Sequence, residues 1–221
     1  MKYRYELIQY FIDFFNYKSY LEIGYRRGDT FKKIKCKEKI SVDPAPNPDN
    51  NKHEATYRMS SDEFFEQCDN KKLFDIIFID GAHGKDFVKK DILNSLKYLE
   101  KGGTIVCHDV CPLEKRLLEP NSCSSAWEAF AEIRAEKPDL FVCSVAVNHC
   151  GFIQRIKDFT NISSAHKEYK TMNPSVRKNM LHIENNIDCK WDFLNSNREE
   201  LLNFIDMKTF FSLFKNKNFE E

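Results

Sequence analysis

The chain predicts an α/β fold: a doubly wound sheet of seven strands, mostly parallel, closing in an antiparallel hairpin and followed by a helical C-terminal appendage. Three observations predict it. Phe74-Asp75-Ile76-Ile77-Phe78-Ile79 and Gly102-Gly103-Thr104-Ile105-Val106-Cys107 are apolar runs that end abruptly in ionisable side chains, Asp80 and His83 after the first, His108 and Asp109 after the second. Runs of this kind read as strands buried on both faces of a parallel sheet. Between them, Phe87, Val88, Ile92, Leu96 and Leu99 recur at helical spacing, which makes the unit strand, helix, strand. Leu140–Val147 and Gly151–Ile156 are joined only by Asn148-His149-Cys150, so tight a connection that the two strands must be antiparallel.

The remaining elements follow in order. Leu7, Phe11, Phe14 and Phe15 give residues 3–16 one apolar helical face. Tyr20-Leu21-Glu22-Ile23-Gly24 is a short strand closing on glycine, and a helix is expected to start near Asp29 or Thr30, after Gly28. Glycines beside such a turn let a ligand approach the backbone, and a helix N-terminus favours negative charge there. Lys39-Ile40-Ser41-Val42-Asp43 is a second strand ending in an acid, and Pro44, Pro46 and Pro48 then impose an extended loop. A short third strand is expected around 53–58, and Ser60 or Ser61 caps a helix containing Glu63, Phe64 and Phe65. Residues 110–122 have few periodic apolar positions and read as a lid over the strand ends. Ser124 or Ser125 caps a helix with Trp127, Phe130 and Ile133 that stops before Pro138. Beyond residue 157 the chain is polar, with helices expected around 175–187 and 197–215. The expected organisation is therefore a core domain over 1–156 and a helical appendage over 157–221.

Composition narrows the function. With 221 residues, 42% hydrophobic, the chain can bury one sizeable core. Its formal net charge is zero and no dense basic run occurs, which argues against nucleic acid as a partner. The eight cysteines form no CxxC pair, so a structural zinc site has little support and reduced thiols are expected. No apolar run is long enough for a membrane span and no signal-peptide pattern is seen, so the expected location is cytoplasmic. Self-association into a homo-oligomer is left open.

Ligands of open α/β sheets bind outside the carboxyl ends of the strands. Glu22, Asp43, Asp80, His83, His108 and Asp109 all fall at such ends. A helix cap would explain Asp80 alone, and a solvated loop would explain His83 alone. The D-x-x-H spacing beside an adjacent His-Asp pair is what joins them into one expected site. Asp43, about twenty residues after the first turn, is placed as an acid that accepts hydrogen bonds from ribose hydroxyls.

The combination Leu21-Glu22-Ile23-Gly24-x-x-x-Gly28, Ser41-Val42-Asp43-Pro44, Phe74-Asp75-x-x-Phe78-Ile79-Asp80-Gly81-x-His83 and Gly102-Gly103-x-Ile105-Val106-x-His108-Asp109 resembles the class I S-adenosylmethionine-dependent methyltransferases. Within them it looks like the metal-dependent macrolide/sugar O-methyltransferase branch. The resemblance spans roughly residues 17–156 and implies a Rossmann-like sheet. It implies that Glu22 and Gly24, with Tyr25 and Gly28 of the same turn, line the methionine end of the cofactor. Asp43 would hold the ribose, and Ser60 and Ser61 would lie near the adenine. It further implies a divalent cation, Mg²⁺ or Mn²⁺, on Asp80, His108 and Asp109, with His83 as general base and Asp80 also at the reacting end. Two departures stand out. Tyr25, Arg26 and Arg27 occupy positions where a third small residue is usual, and His108 stands where an acid is common. A nitrogen donor there suits Mn²⁺, Fe²⁺ or Zn²⁺ better than Mg²⁺.

The function expected is methylation of a hydroxyl of a sugar or glycan, assisted by a divalent metal. Two alternatives remain open: a catechol or phenol acceptor, and a non-catalytic S-adenosylmethionine-binding protein whose tail docks to a partner. A nicotinamide dehydrogenase is disfavoured, because the turn lacks the third glycine of G-x-G-x-x-G.

Overall fold

The computed structural model describes residues 1–69, 72–159 and 172–214. Seven strands form one sheet in the order β2-β1-β3-β4-β6-β5-β7. They are β1 (Ser19–Ile23), β2 (Glu38–Val42), β3 (Phe74–Ile79), β4 (Leu99–Cys107), β5 (Leu140–Val145), β6 (Gly151–Arg155) and β7 (Phe204–Ile205). The first four run parallel, and β6 is antiparallel to both β4 and β5. The helices are α1 (Arg4–Phe15), α2 (Ser61–Gln67), α3 (Lys85–Lys97), α4 (Ala126–Glu136), α5 (Pro174–Met180), α6 (Ile187–Leu202) and α7 (Met207–Phe214).

The strand alternation divides the core between two faces. Ile77, Ile79, Ile105 and Cys107 point to one layer, closed by Phe64, Phe65, Ile92, Trp127 and Leu194 of the helices. Ile76, Phe78 and Val106 point to the other, where Leu7, Phe11, Phe210 and Phe214 cover them. Successive strand residues face opposite sides, so an uninterrupted apolar run is what a sheet covered on both faces requires. Full burial of Phe210 and Phe214, at about 1.5–3 kcal/mol per side chain, fastens α7 to α1. Their rings meet those of Tyr10, Phe11 and Phe14 edge-on or tilted.

Four expectations are corrected. No α-helix follows Gly28. Instead residues 29–33 form turns, with bonds from Lys32 N to Gly28 O and from Lys33 and Ile34 N to Thr30 O. The connection of residues 24–37 must both turn at the strand end and return along the sheet, which leaves no length for a regular helix. The strand expected at 53–58 is reduced to one parallel bridge between Val42 and Tyr57. There the Thr56 side chain accepts from Ser41 N at 3.2 Å and replaces the next ladder bond. The seventh strand comes from the tail, where Phe204 and Ile205 pair parallel to Ser144 and Val145. Finally, Phe87 is 62% exposed rather than core, because Val88, Ile92 and Ser95 form the buried stripe of α3.

In the tail, three helices, α5, α6 and α7, stand where two were expected, and residue 215 lies outside the described residues. The loop read as a lid is tighter than its composition suggests. Lys115–Leu118 form a 3₁₀ turn whose Leu117 and Leu118 are buried. No helix among the described residues is long and apolar enough to cross a membrane, and all eight cysteines are free.

Candidate active site

Three backbone bonds align the strand ends. Gly24 N donates to Val42 O at 2.9 Å, Asp80 N to Ile23 O at 2.8 Å, and His108 N to Ile79 O at 2.9 Å. The pairing of β2, β1, β3 and β4 thus continues one residue past each strand and sets Glu22, Asp43, Asp80 and His108 along one rim. Glycine at position 24 is obligatory. Its φ is +91°, and a Cβ there would lie 2.1 Å from the carbonyl oxygen of Asp80. Asp109 adopts φ +60° without being glycine, a conformation that costs energy and is found where a side chain must be aimed.

A cavity of about 850 Å³ opens over this rim. Glu22, Gly24, Tyr25, Asp43, Ser60, Ser61, Asp80, His83, His108 and Asp109 line it. Gly28 is not in its wall; the missing Cβ makes room for the ring of Tyr25, which a side chain would meet at 2.5 Å. Tyr25 is itself anchored through its hydroxyl, which donates to Glu54 at 3.2 Å. Ser60 is engaged locally: it closes a capping box with Glu63 at the start of α2.

Asp43 accepts from Arg26 N (2.7 Å) on one oxygen and from Ala45 N (2.8 Å) on the other. Each oxygen keeps a lone pair for a further donor. Glu22 is 1% exposed. Burial pushes its carboxyl up to about 8 against the pull of the Tyr20 hydroxyl, which donates to it.

Two acids and two histidines meet at the ends of β3 and β4. His108 Nδ1 lies 3.0 Å from Asp80 Oδ1 and 3.1 Å from Asp109 Oδ2. His83 Nδ1 lies 3.2 Å from Asp109 Oδ2, and its Nε2 lies 3.7 Å from Asp80 Oδ1. Burial lowers the His108 pKa, but the charges of Asp80 and Asp109 outweigh it and lift the imidazole to about 9. Asp80 is held below the usual carboxylate range: burial opposes ionisation, and His108, His83 and Arg4 overcome it. Asp109 is lowered likewise, burial being outweighed by His108. His83 is raised, first by its contact with Asp80. The Cys123 thiol donates to Asp109 Oδ1 at 3.2 Å and steadies that carboxylate from the loop side.

This cluster fits a divalent cation. Asp80, His83 and Asp109 each offer a ligand atom, all within 4.8 Å of one another. Among the described residues His108 Nε2 is buried with no hydrogen-bond partner. Carboxylates with an imidazole suit Mn²⁺, Fe²⁺ or Zn²⁺. His83 therefore stands among the donors as well as in the place expected of a base, and His108 reaches both acids through Nδ1. The cavity also fits the nucleoside cofactor, since it combines the glycine-lined approach at Gly24 with the Asp43 carboxylate and the Ser60–Ser61 wall.

Of the cavity residues that sequence reasoning missed, three bear on the chemistry. Arg4 reaches the site from α1, and no local pattern marked it. Asp91, 4% exposed, is pushed up to about 6 by burial, with Ser61 hydrogen-bonding to it. An acid interrupting the apolar stripe of α3 was the available signal. Phe87 lies four residues earlier on the same flank of that helix.

Comparison with known proteins bears on the fold. Residues 21–110 match a family model described as a methyltransferase domain. No curated protein matches the chain by sequence. Among solved structures, an O-methyltransferase from Bacillus cereus in complex with S-adenosylhomocysteine is 17% identical, with TM-score 0.50 over 68% of this chain and 78% of that one. A methyltransferase from Podospora anserina, also bound to S-adenosylhomocysteine, is 19% identical, with TM-score 0.51 over 69% and 77%. An O-methyltransferase of tomaymycin synthesis from Streptomyces achromogenes, in complex with S-adenosylmethionine, is 13% identical, with TM-score 0.51 over 69% and 79%. At these identities the likeness establishes a Rossmann-like methyltransferase fold. Together with the domain match it supports an enzyme of this class.

Proposed function

We propose that the chain is an S-adenosylmethionine-dependent O-methyltransferase that methylates a hydroxyl of a small molecule, a sugar or glycan, with help from a divalent cation. The observation that carries the reading is the convergence of Asp80, His83, His108 and Asp109 on the wall of the cavity that Glu22, Gly24 and Asp43 also line. Bound S-adenosylmethionine supplies an electrophilic methyl group, and a bound cation lowers the pKa of a coordinated hydroxyl.

The chain's own residues do the rest. Asp43 accepts from vicinal hydroxyls, and Glu22 accepts from the amine of the cofactor's methionine end. Asp80 and Asp109, with the imidazole of His108, would hold the cation. His83 takes the hydroxyl proton, and the neighbouring acids stabilise the imidazolium that forms. A sugar hydroxyl is a very weak acid, so a cation and a base together are the parts such an acceptor needs. Phe87, an exposed ring on the cavity wall, favours a second reading, a planar catechol or phenol acceptor. The test is transfer of labelled methyl from S-adenosylmethionine across a panel of saccharides and catechols. Label in a hydroxyl acceptor supports the proposal, and label confined to nitrogen or sulfur acceptors overturns it.

A further inference from the structure

The connection between β1 and β2 is strongly basic in a chain whose formal net charge is zero. Residues 26–39 hold seven Lys and Arg against two acids, Asp29 and Glu38. In sequence these cations are interspersed with apolar residues, but the fold lays the segment along one flank of α1. Arg4 Nε donates to Thr30 Oγ1 at 2.8 Å, and the Lys33 ammonium lies 4.4 Å from the centroid of the Tyr5 ring. Gln9 holds Lys35 by both backbone groups, at 2.8 and 3.1 Å.

Some of these cations are already paired. Arg27 meets Asp49 at 2.8 Å, Lys32 meets Glu54 at 2.9 Å, and Lys39 donates to the carbonyls of Phe31 and Ile34. Among the described residues, Arg26, Lys33 and Lys35 have no carboxylate within ion-pair distance, and all three are exposed. The acids of α1 serve local donors: Glu6 accepts from Lys2 N and Tyr3 N, and Asp13 accepts from Gln9.

The basic strip runs into the cavity, where Arg4 and Arg26 form part of the wall. Arg4 approaches Asp80 through Nε alone, at 3.4 Å, and among the described residues its two Nη groups have no acceptor. Arg26 holds φ +48° with its N–H committed to Asp43, a strained conformation that fixes where its side chain leaves the turn.

Exposed cations in a row suit a ligand whose negative charge repeats along its length. Two features decide its kind. The rings of Tyr3 and Tyr5 stack at 5.5 Å, with the Lys2 ammonium over the first and that of Lys33 over the second. Both faces of each ring are thus taken, whereas single-stranded nucleic acids bind by stacking bases on open aromatic faces. The cavity at the end of the strip, on the function proposed above, requires a hydroxyl. An acidic saccharide carries carboxylate and hydroxyl on the same repeating unit.

Resting on that reading, we propose that the acceptor is an acidic saccharide chain rich in uronate. Its carboxylates lie along Lys35, Lys33 and Arg26 while one of its hydroxyls enters the cavity.

Binding of four probes to the full chain tests this. They are oligogalacturonate, a neutral maltooligosaccharide of the same length, and a single-stranded oligonucleotide and an oligoglutamate of the same charge. Oligogalacturonate is expected to bind tightest, about 10-fold or more above the neutral saccharide, and to weaken as salt screens the exposed charges. Lys33→Glu combined with Lys35→Glu should weaken it about 10-fold, since attraction becomes repulsion at two positions. S-adenosylhomocysteine should bind that variant as it binds the wild type, which also reports that the variant is folded. Equal affinity for the acidic and neutral saccharides overturns the proposal. So does unchanged affinity in the double variant, or binding of the oligonucleotide or oligoglutamate as tight as that of oligogalacturonate. Wild-type protein that binds oligogalacturonate but not S-adenosylhomocysteine would overturn the cofactor reading and keep the strip as an acidic-saccharide site. The reverse result would overturn the present proposal alone.

Discussion

His83 Nδ1 lies 2.5 Å from the carbonyl oxygen of Ser122. A carbonyl can only accept, so Nδ1 carries a proton and the lone pair of the neutral ring sits on Nε2, the nitrogen beside Asp80. The loop after β4 thus decides which nitrogen of His83 can act. Replacing the ring should remove the base and leave the nucleoside contacts in place. His83→Ala is expected to bind S-adenosylhomocysteine as the wild type does and to lose about 10²–10⁴ in rate. Paired calorimetry and turnover check this, and wild-type turnover in the variant would remove His83 from the chemistry.

Gly24→Ala tests the backbone of the site. The new Cβ would collide with the Asp80 carbonyl at a φ of +91°. Strain and forced separation of β1 from β3 should cost about 2–4 kcal/mol. Thermal unfolding reads this directly, and an unchanged melting temperature would contradict the geometry.

Glu22 gives stability a pH dependence of defined sign. With its folded pKa raised to about 8, the native state holds a proton that the unfolded chain releases above its ordinary value of about 4.3. Its contribution is complete at low pH and is lost as pH rises toward 8, at about 1.4 kcal/mol per pH unit at most. Urea titrations at pH 5.5 and 8.5 should show a decline in the wild type that Glu22→Gln reduces. Identical declines in both would contradict it.

Asp43 is placed to accept ribose hydroxyls alongside the two backbone donors it already serves. Asp43→Ala should weaken S-adenosylhomocysteine by about 1.5–3 kcal/mol. Unchanged affinity by calorimetry would take Asp43 out of the ribose contact.

Much of the centre was legible because buried parallel strands leave a plain signature. The apolar runs of β3 and β4 could stop only where the sheet ends, so Asp80, His83, His108 and Asp109 announced the rim. The capping of α2 by Ser60 and the antiparallel hairpin of β5 and β6 follow from equally local rules. What escaped depends on distance in sequence or on competition between local options. Arg4 enters the site only because α1 packs across the sheet. Thr56 replaced a strand bond with its own hydroxyl, and residues 29–33 had too short a path for a helix. Phe87 shares the apolar spacing of α3 yet adjoins Val88, and neighbours in sequence lie about 100° apart around a helix, so only one of the two faces the core. β7 could not be read because two residues carry no periodicity.

The cluster of two acids and two histidines is the centre of the account, and chelation tests it most directly. Once a methyl acceptor is found, transfer should be measured in chelator and again after excess Mn²⁺. The account predicts that chelator abolishes transfer, that Mn²⁺ restores it, and that Asp109→Asn stays inactive in both while still binding S-adenosylhomocysteine. Transfer at full rate in chelator would contradict it.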